Sequence, residues 1–273
     1  MSLRCVAVMC VRNEAAHLRR SLGDFVDQGI DVAVIDHGSD DGSDAILREF
    51  AGRGLVRHET LAWEGVYDQG EQLAAKAALI AGLDHDWVIH VDADEWLHTR
   101  RPGEALVQGI GRLAAEGYNA INFDEFVFLP EPGGAEAGDL KRDSLHYYFF
   151  EPYPLRLMRA WRRDAGFDNL ETGGHALSGA GMQLAPESFV LRHYIVLSQA
   201  HAITKFAGRT FAGRDLARGW HGNRLGLDAG RLQLPARARL KRLARWDEAA
   251  LDRADPKALH FWDWPRGPDM VEQ

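Results

Sequence analysis

Asp86-Trp87-Val88-Ile89-His90-Val91-Asp92-Ala93-Asp94-Glu95 reads as a buried apolar strand that ends in three carboxylates. On an extended backbone, residues i and i+2 point the same way. Asp92 and Asp94 are therefore expected to converge on one hard cation, with Glu95 beside them. Ligands of α/β sheets gather outside the carboxyl ends of strands, which is where this cluster falls. An isolated Asp-x-Asp also reads as an acidic turn that caps a helix; the strand in front of this one favours a metal site.

Outward from that strand, apolar runs and helical spacings alternate. Leu3 to Val11 is a continuous apolar run, followed by helical spacing from Ala15 to Val26. Asp31 to Asp36 is a second strand, and Gly38-Ser39-Asp40-Asp41-Gly42-Ser43 a tight turn in which Ser43 or its neighbours cap a helix to Phe50. Leu55 to His58 is a third strand, Gln69 to Ala81 a helix, and Trp87 to Asp92 the fourth strand. The series predicts an α/β protein with a mainly parallel, right-handed, three-layer sheet.

Further on come a helix from Pro102 to Glu116, a strand from Asn119 to Leu129 and a glycine-punctuated loop from Pro130 to Asp139. Leu155 to Arg159, Gln183 to Leu184 and Phe189 to Tyr194 read as shorter strands. Ser198 to Arg218 and Ala236 to Leu251 read as helices. The aromatics of Phe261-Trp262-Asp263-Trp264-Pro265 are expected to dock on the core. These spans divide the chain into residues 1–197 (a nucleotide-binding half, 1–100, and an acceptor half, 101–197) and a basic, helical C-terminal extension, 198–273, packed on the same domain.

With 273 residues and 46% hydrophobic content, the chain can bury a full core, which leaves little room for a mostly disordered protein. Cys5 and Cys10 are the only cysteines and lie on one strand, roughly 17 Å apart when extended, so they do not bridge each other. A reduced, cytoplasmic setting follows as the expectation. No apolar segment has the length of a membrane span. The net charge of −8 is uneven: Gln199 to Arg245 carries 11 Lys and Arg against Asp215 and Asp228, leaving −17 elsewhere. Such a basic segment on an acidic body suggests contact with a diphosphate, a charged acceptor or, peripherally, the anionic inner face of a membrane. The acidic whole and the lack of a recognised motif set nucleic acid aside.

Val11-Arg12-Asn13-Glu14 after the first strand, Asp36-x-Gly38-Ser39-x-Asp41-Gly42-Ser43 after the second and Asp92-Ala93-Asp94-Glu95 after the fourth resemble a family 2 glycosyltransferase of the GT-A fold. Glu125-Phe126-Val127-Phe128, Arg156-Leu157-Met158-Arg159-Ala160-Trp161, Gly173-Gly174-His175, Leu191-Arg192-His193-Tyr194, Ser198-Gln199-x-His201 and Arg218-Gly219-Trp220-His221 continue the resemblance toward a bacterial subgroup of that family. His175 is followed by Ala176, where many relatives carry an acidic residue.

The resemblance implies an inverting, metal-dependent transfer of a hexosyl or related sugar from a nucleotide-diphosphate donor, with UDP-sugars favoured. The acceptor hydroxyl would belong to a carbohydrate or a lipid-linked molecule, in polysaccharide or other glycoconjugate synthesis. It implies Asp92 and Asp94 as ligands of Mn²⁺ or Mg²⁺, with His193 completing the metal or diphosphate site. Arg12, Asn13, Glu14, Asp36 and Glu95 would lie at the nucleotide. Lys76 matches a basic position that faces the diphosphate, an exposed helix residue being its alternative. An inverting transfer also needs a base, for which Glu125 and His175 stand ahead of Glu171 and Asp168. A sugar nucleotidyltransferase shares the sheet and the carboxylates but has a Gly-rich, Arg-containing loop after its first strand, which this chain lacks. A non-catalytic nucleotide-sugar-binding protein is the rival outside the enzymes.

Overall fold

The computed structural model describes residues 3–131, 139–246 and 251–265. The elements are β1 (Cys5–Val11), α1 (Ala15–Asp27), β2 (Asp31–Asp36), α2 (Ser43–Phe50), β3 (Leu55–Thr60), α3 (Gln69–Ala81), β4 (Trp87–His90) and β5 (Glu95–His98). They continue with α4 (Leu106–Ala115), β6 (Ala120–Leu129), α5 (Leu140–Asp143), β7 (His146–Phe150), β8 (Met158–Arg162), β9 (Phe189–His193), α6 (Gln199–Phe206), α7 (Gly213–Ala217) and β10 (Lys241–Arg242). The sheet runs β10-β7-β6-β8-β4-β1-β2-β3, with β9 beside β6 and β5 beside β9.

β4, β1, β2 and β3 are parallel neighbours. β8 enters antiparallel between β4 and β6, so the half of the sheet from β4 to β3 is parallel and the other half mixed. Alternation along β1 shows both faces covered, as parallel strands require. Ala7, Met9 and Val11 pack with Leu18, Leu22 and Phe25 of α1 and with Ile46 and Leu47 of α2. Val6 and Val8 face the opposite layer with Leu79 of α3. Asp41 ties the starts of the first two helices together, its carboxylate accepting from Ala15 N at 2.9 Å and Ser43 N at 3.0 Å. Of Ser43 and its neighbours, it is Asp41 that accepts from the first N–H of α2, while Ser43 Oγ accepts from Glu14 N.

Several expectations are corrected. The fourth strand stops at His90, so Asp92 and Asp94 lie in a turn, and the backbone re-enters the sheet as β5 against β9. The strand expected at Leu155 to Arg159 is shifted to Met158–Arg162, and Leu184 makes only an isolated bridge to Ala120. Ser198 to Arg218 is broken into α6 and α7, and described residues of Ala236 to Leu251 form a 3-10 turn and β10 instead of a helix. Of the loop expected over Pro130 to Asp139, residues 132–138 lie outside the described residues. The tail aromatics do dock: Phe261, Trp262 and Trp264 are buried with Val127, Tyr148, Phe150 and Phe206, joining the end of the chain to the sheet.

Gly54, at the entrance to β3, has φ +91, and a methyl built on it overlaps Val26 Cγ2. Gly54→Ala is expected to lower unfolding stability by about 1–3 kcal/mol. Adding Val26→Ala should return part of that loss in urea titrations, because it removes the overlap and leaves the backbone strain.

Candidate active site

Parallel pairing aligns Val8 with His90 and Val11 with Asp36, so the segments after β1, β2 and β4 leave the sheet along one edge. A cleft opens there, lined by Arg12, Glu14, Tyr67, Asp92, Asp94 and His193 from the body and by Lys205, Arg209 and Arg224 from the C-terminal segment. It continues past Asn13, Asp41 and Trp63.

The residues after β1 and β2 form one rim of the cleft. The Arg12 guanidinium donates to His37 O at 3.1 Å and to Gly38 O, and lies 3.9 Å over the Trp63 ring. Gly38 has φ +65, and a Cβ there would come within 2.9 Å of Trp63 Cβ, so glycine is what allows the arginine-tryptophan stack to form. Asn13, itself at φ 55, exchanges two hydrogen bonds with Asp40, and buried Asp36 accepts from Ser39 N at 3.0 Å.

At the carboxylate end the turn geometry overrides strand parity. Glu95 N donates to Asp92 O at 3.1 Å, and Glu95 Oε2 accepts from Asp92 N at 3.0 Å, closing the turn on itself. Asp92, half exposed, faces buried Lys76, whose ammonium lies 3.4 Å from Asp92 Oδ1 and 3.3 Å from Val91 O. Lys76 is therefore no exposed helix residue. Asp94 points elsewhere, with Oδ2 2.9 Å from Lys205 Nζ and 3.3 Å from His193 Nε2. Lys205 also reaches Glu14 Oε1 at 2.9 Å. Glu95 turns away from the cleft to a buried pair with Arg159 at 2.5 Å.

His193 bridges two carboxylates, Asp94 through Nε2 and Glu125 through Nδ1 at 2.7 Å. Burial alone would lower its pKa, but the pull of Asp94 and Glu125 lifts it to about 10. For Asp94, burial works upward and is overridden by Lys205 and His193, which hold it well below the usual carboxylate range. Glu125 is likewise held far down against its burial, by Arg156 and His193. His175 goes the other way: burial and nearby arginines keep its ring neutral, and its buried Nδ1 has no hydrogen-bond partner among the described residues. Neither Glu125 nor His175 lines the cleft.

Asp92, Asp94 and His193 do not converge into one ligand cluster; among the described residues the one group so arranged is Asp36, Asp44 and His58. The donor types still suit a divalent cation, since the other oxygen of Asp92 and of Asp94 accepts no hydrogen bond among the described residues. Reading from sequence missed Lys205, Arg156, Arg159 and Trp63 as members of the site. Lys205 carried only the weak signal of belonging to the basic segment, whereas Arg156 and Arg159 stood inside a motif already singled out.

Residues 6–110, from β1 to the middle of α4, match the glycosyl transferase family 2 model. That match covers the parallel part of the sheet, from β1 through the turn that carries Asp92 and Asp94. Among solved structures it is similar to S. aureus TarS 1–349 in complex with UDP, at 10% identity over 71% of this chain and 61% of that one, with a TM-score of 0.44. It is also similar to glucosyl-3-phosphoglycerate synthase from Mycobacterium tuberculosis in complex with Mn²⁺, UDP and phosphoglyceric acid, at 19% identity over 60% and 57% of the two chains, with a TM-score of 0.34. The chain spans about three fifths of the length of these structures. No curated protein matches it. Among the described residues, no helix is long and apolar enough to cross a membrane.

A histidine whose pKa is raised by folding adds stability that is fully present below its unfolded value of 6.5 and is lost as pH climbs through about 10. Unfolding free energy measured from pH 6 to 10 should therefore fall more steeply for the native protein than for His193→Gln. Parallel curves would show that the two carboxylates do not hold a proton on His193.

Proposed function

We propose that the protein transfers a sugar from a nucleotide-diphosphate donor, with UDP-sugars favoured, to a hydroxyl of a carbohydrate or lipid-linked acceptor, with inversion at the anomeric carbon. The observation that carries this reading is the single cleft along the ends of β1, β2 and β4. It has the Arg12–Trp63 stack at one end, suited to a nucleoside, and the Asp92–Asp94 turn with its surrounding cations at the other. In this reading residues 1–100 bind the nucleotide, 101–197 face the acceptor, and 198–273 extend over the same domain.

Arg12, Asn13 and Asp36 serve the nucleoside, while Lys76 and Glu95 set the positions of the turn carboxylates that face the donor. The free oxygens of Asp92 and Asp94 would hold a divalent cation, Mn²⁺ or Mg²⁺, which when bound neutralises charge building on the departing diphosphate. His193 acts as a charged bridge that orients Asp94, because both ring nitrogens already face carboxylates. Of the two bases considered, His175 is preferred. It is neutral, with an Nδ1 that has no partner among the described residues, whereas Glu125 is bound by Arg156 and too acidic to accept a proton well. Gly173 and Gly174, both at positive φ, form the turn that carries it.

Calorimetry with UDP and Mn²⁺ tests the reading. UDP is expected to bind more tightly with Mn²⁺ than with a chelator, and Asp94→Asn to abolish that difference while lowering sugar transfer by about 10²-fold or more in a folded protein. UDP affinity indifferent to the metal in both proteins would remove the cation; failure of any nucleoside diphosphate to bind would remove the donor site. For the base, His175→Gln should lower kcat by about 10²-fold or more with KM for the donor little changed. An unaltered kcat would return His175 to a structural part.

A further inference from the structure

Away from the Asp92–Asp94 turn, a second set of donors stands at the β3 edge of the sheet. A carboxylate oxygen of Asp36, one of Asp44 and an imidazole nitrogen of His58 lie within 4.8 Å of one another. Three elements bring them together. β2 and β3 pair in parallel, with Val34 beside His58 and Asp36 beside Thr60, and residues paired in this way share a face. Val34 packs with Ile46 and Leu47 of α2. His58 and Asp36 therefore lie on the face that α2 covers, and Asp44 stands in the first turn of that helix.

Their charges are poorly compensated within the fold. Asp36 is 5% exposed; Ser39 N donates to one of its oxygens, and no Lys, Arg or His forms an ion pair with it among the described residues. A buried carboxylate is ordinarily held by a cation or a full set of hydrogen bonds. Asp44 pairs with Arg48 one turn further along α2, at the surface, where such pairs contribute little. His58 is exposed, and its ring has no partner among the described residues. No hydrogen bond or ion pair joins any two of the three, so the space between them is wider than a direct contact and is bounded by two like charges. Such an arrangement draws a cation from outside.

An all-oxygen shell suits Mg²⁺ or Ca²⁺, whereas an imidazole beside two carboxylates suits a transition ion, Zn²⁺ first among them, with water in the fourth position. Donors about 2 Å from one tetrahedral ion stand roughly 3.4 Å apart. The three groups reach that spacing by side-chain rotation, which the exposure of His58 and the half-exposure of Asp44 permit. We infer that Asp36, Asp44 and His58 form a site for one Zn²⁺-class ion, separate from the Asp92–Asp94 turn. The ion ties the first turn of α2 to β3 and takes up the Asp36 carboxylate. Asp36 also serves the nucleoside in the transferase reading above, and on that reading alone rests the consequence that ion and nucleoside exclude each other.

The test is titration calorimetry of Zn²⁺ against the native protein, His58→Ala, Asp44→Asn and Asp94→Asn, with thermal melting of each protein with and without the ion. The native protein and Asp94→Asn should share one equivalent of Zn²⁺ that His58→Ala and Asp44→Asn bind about tenfold or more weakly. Zn²⁺ should raise the melting temperature of the first two proteins more than that of the second two, because an ion that binds only the folded state stabilises it. Uridine, which has no phosphate to chelate the ion, should bind the native protein more weakly in Zn²⁺ and bind His58→Ala equally with and without it. Unchanged Zn²⁺ affinity in both His58→Ala and Asp44→Asn overturns the site. Uridine affinity indifferent to Zn²⁺ in the native protein overturns the mutual exclusion. A native protein that binds no uridine, yet holds the Zn²⁺ equivalent that the two variants lose, would sink the nucleoside reading and leave the metal site standing.

Discussion

The ammonium of Lys205, seated between Glu14 after β1 and Asp94 after β4, is the interaction on which the site's arrangement depends. It places one buried positive charge between two carboxylates that would otherwise repel each other at the mouth of a parallel sheet. Burial raises the pKa of Glu14, with neighbouring Asp94 adding to the rise and Lys205 opposing it; burial works the other way on Lys205 and is overridden by Asp94 and Glu14, which keep the ammonium charged. Removing one partner of such a group costs more than the group gains over an apolar alternative, so its value here is positional. It fixes where α6 lies, and hence where the chain beyond α6 meets the cleft.

A second anchor sets the other end of that segment. Asp215 in α7 is fully buried, and its carboxylate accepts from the backbone of Gln69 at 2.6 Å and Gly70 at 3.2 Å, at the start of α3. The unpaired N–H groups and dipole of a helix N-terminus suit a carboxylate there. Arg214 reinforces the contact through Asp68, which itself caps α3. With Lys205 tied to the strand ends and Asp215 to α3, the intervening chain has to run across the cleft. Arg209 then projects from the bridged stretch, and Trp220 beyond it packs on Gly173, where a Cβ would lie 3.2 Å from the indole.

The parallel half was legible in the sequence because its strands are covered on both faces and therefore appear as continuous apolar runs; β1, β2 and β4 were all found this way. Their chain order also implied that Arg12, Asp36 and Asp92 would share an edge, as the register shows. Local pattern did not reveal that Asp92 leaves the strand. The hydrogen bonds that turn Asp92 toward Lys76 and Asp94 toward Lys205 involve residues as much as 111 positions apart, beyond the reach of i and i+2 parity. The helix read over Ser198 to Arg218 failed for a similar reason. Its spacing is compatible with one helix, but Tyr67 pairs with Phe211 across a bridge and draws residues 207–212 out of helical conformation.

The charge asymmetry of the chain illustrates how far composition reaches. A segment of +9 on a body of −17 reads as a surface waiting for a polyanion. In the fold, carboxylates of the body, Glu14, Asp68, Asp94 and Glu131 among them, reach into the segment and take up its charges one by one. Much of the asymmetry is thus internal complementarity between two parts of one molecule, which lowers the case for a broad electrostatic surface. What remains to act on a ligand is set by placement, not by total charge. A cation paired at about 3 Å contributes little field beyond its partner, while an unpaired guanidinium held over an aromatic ring keeps most of its field directed into the cleft.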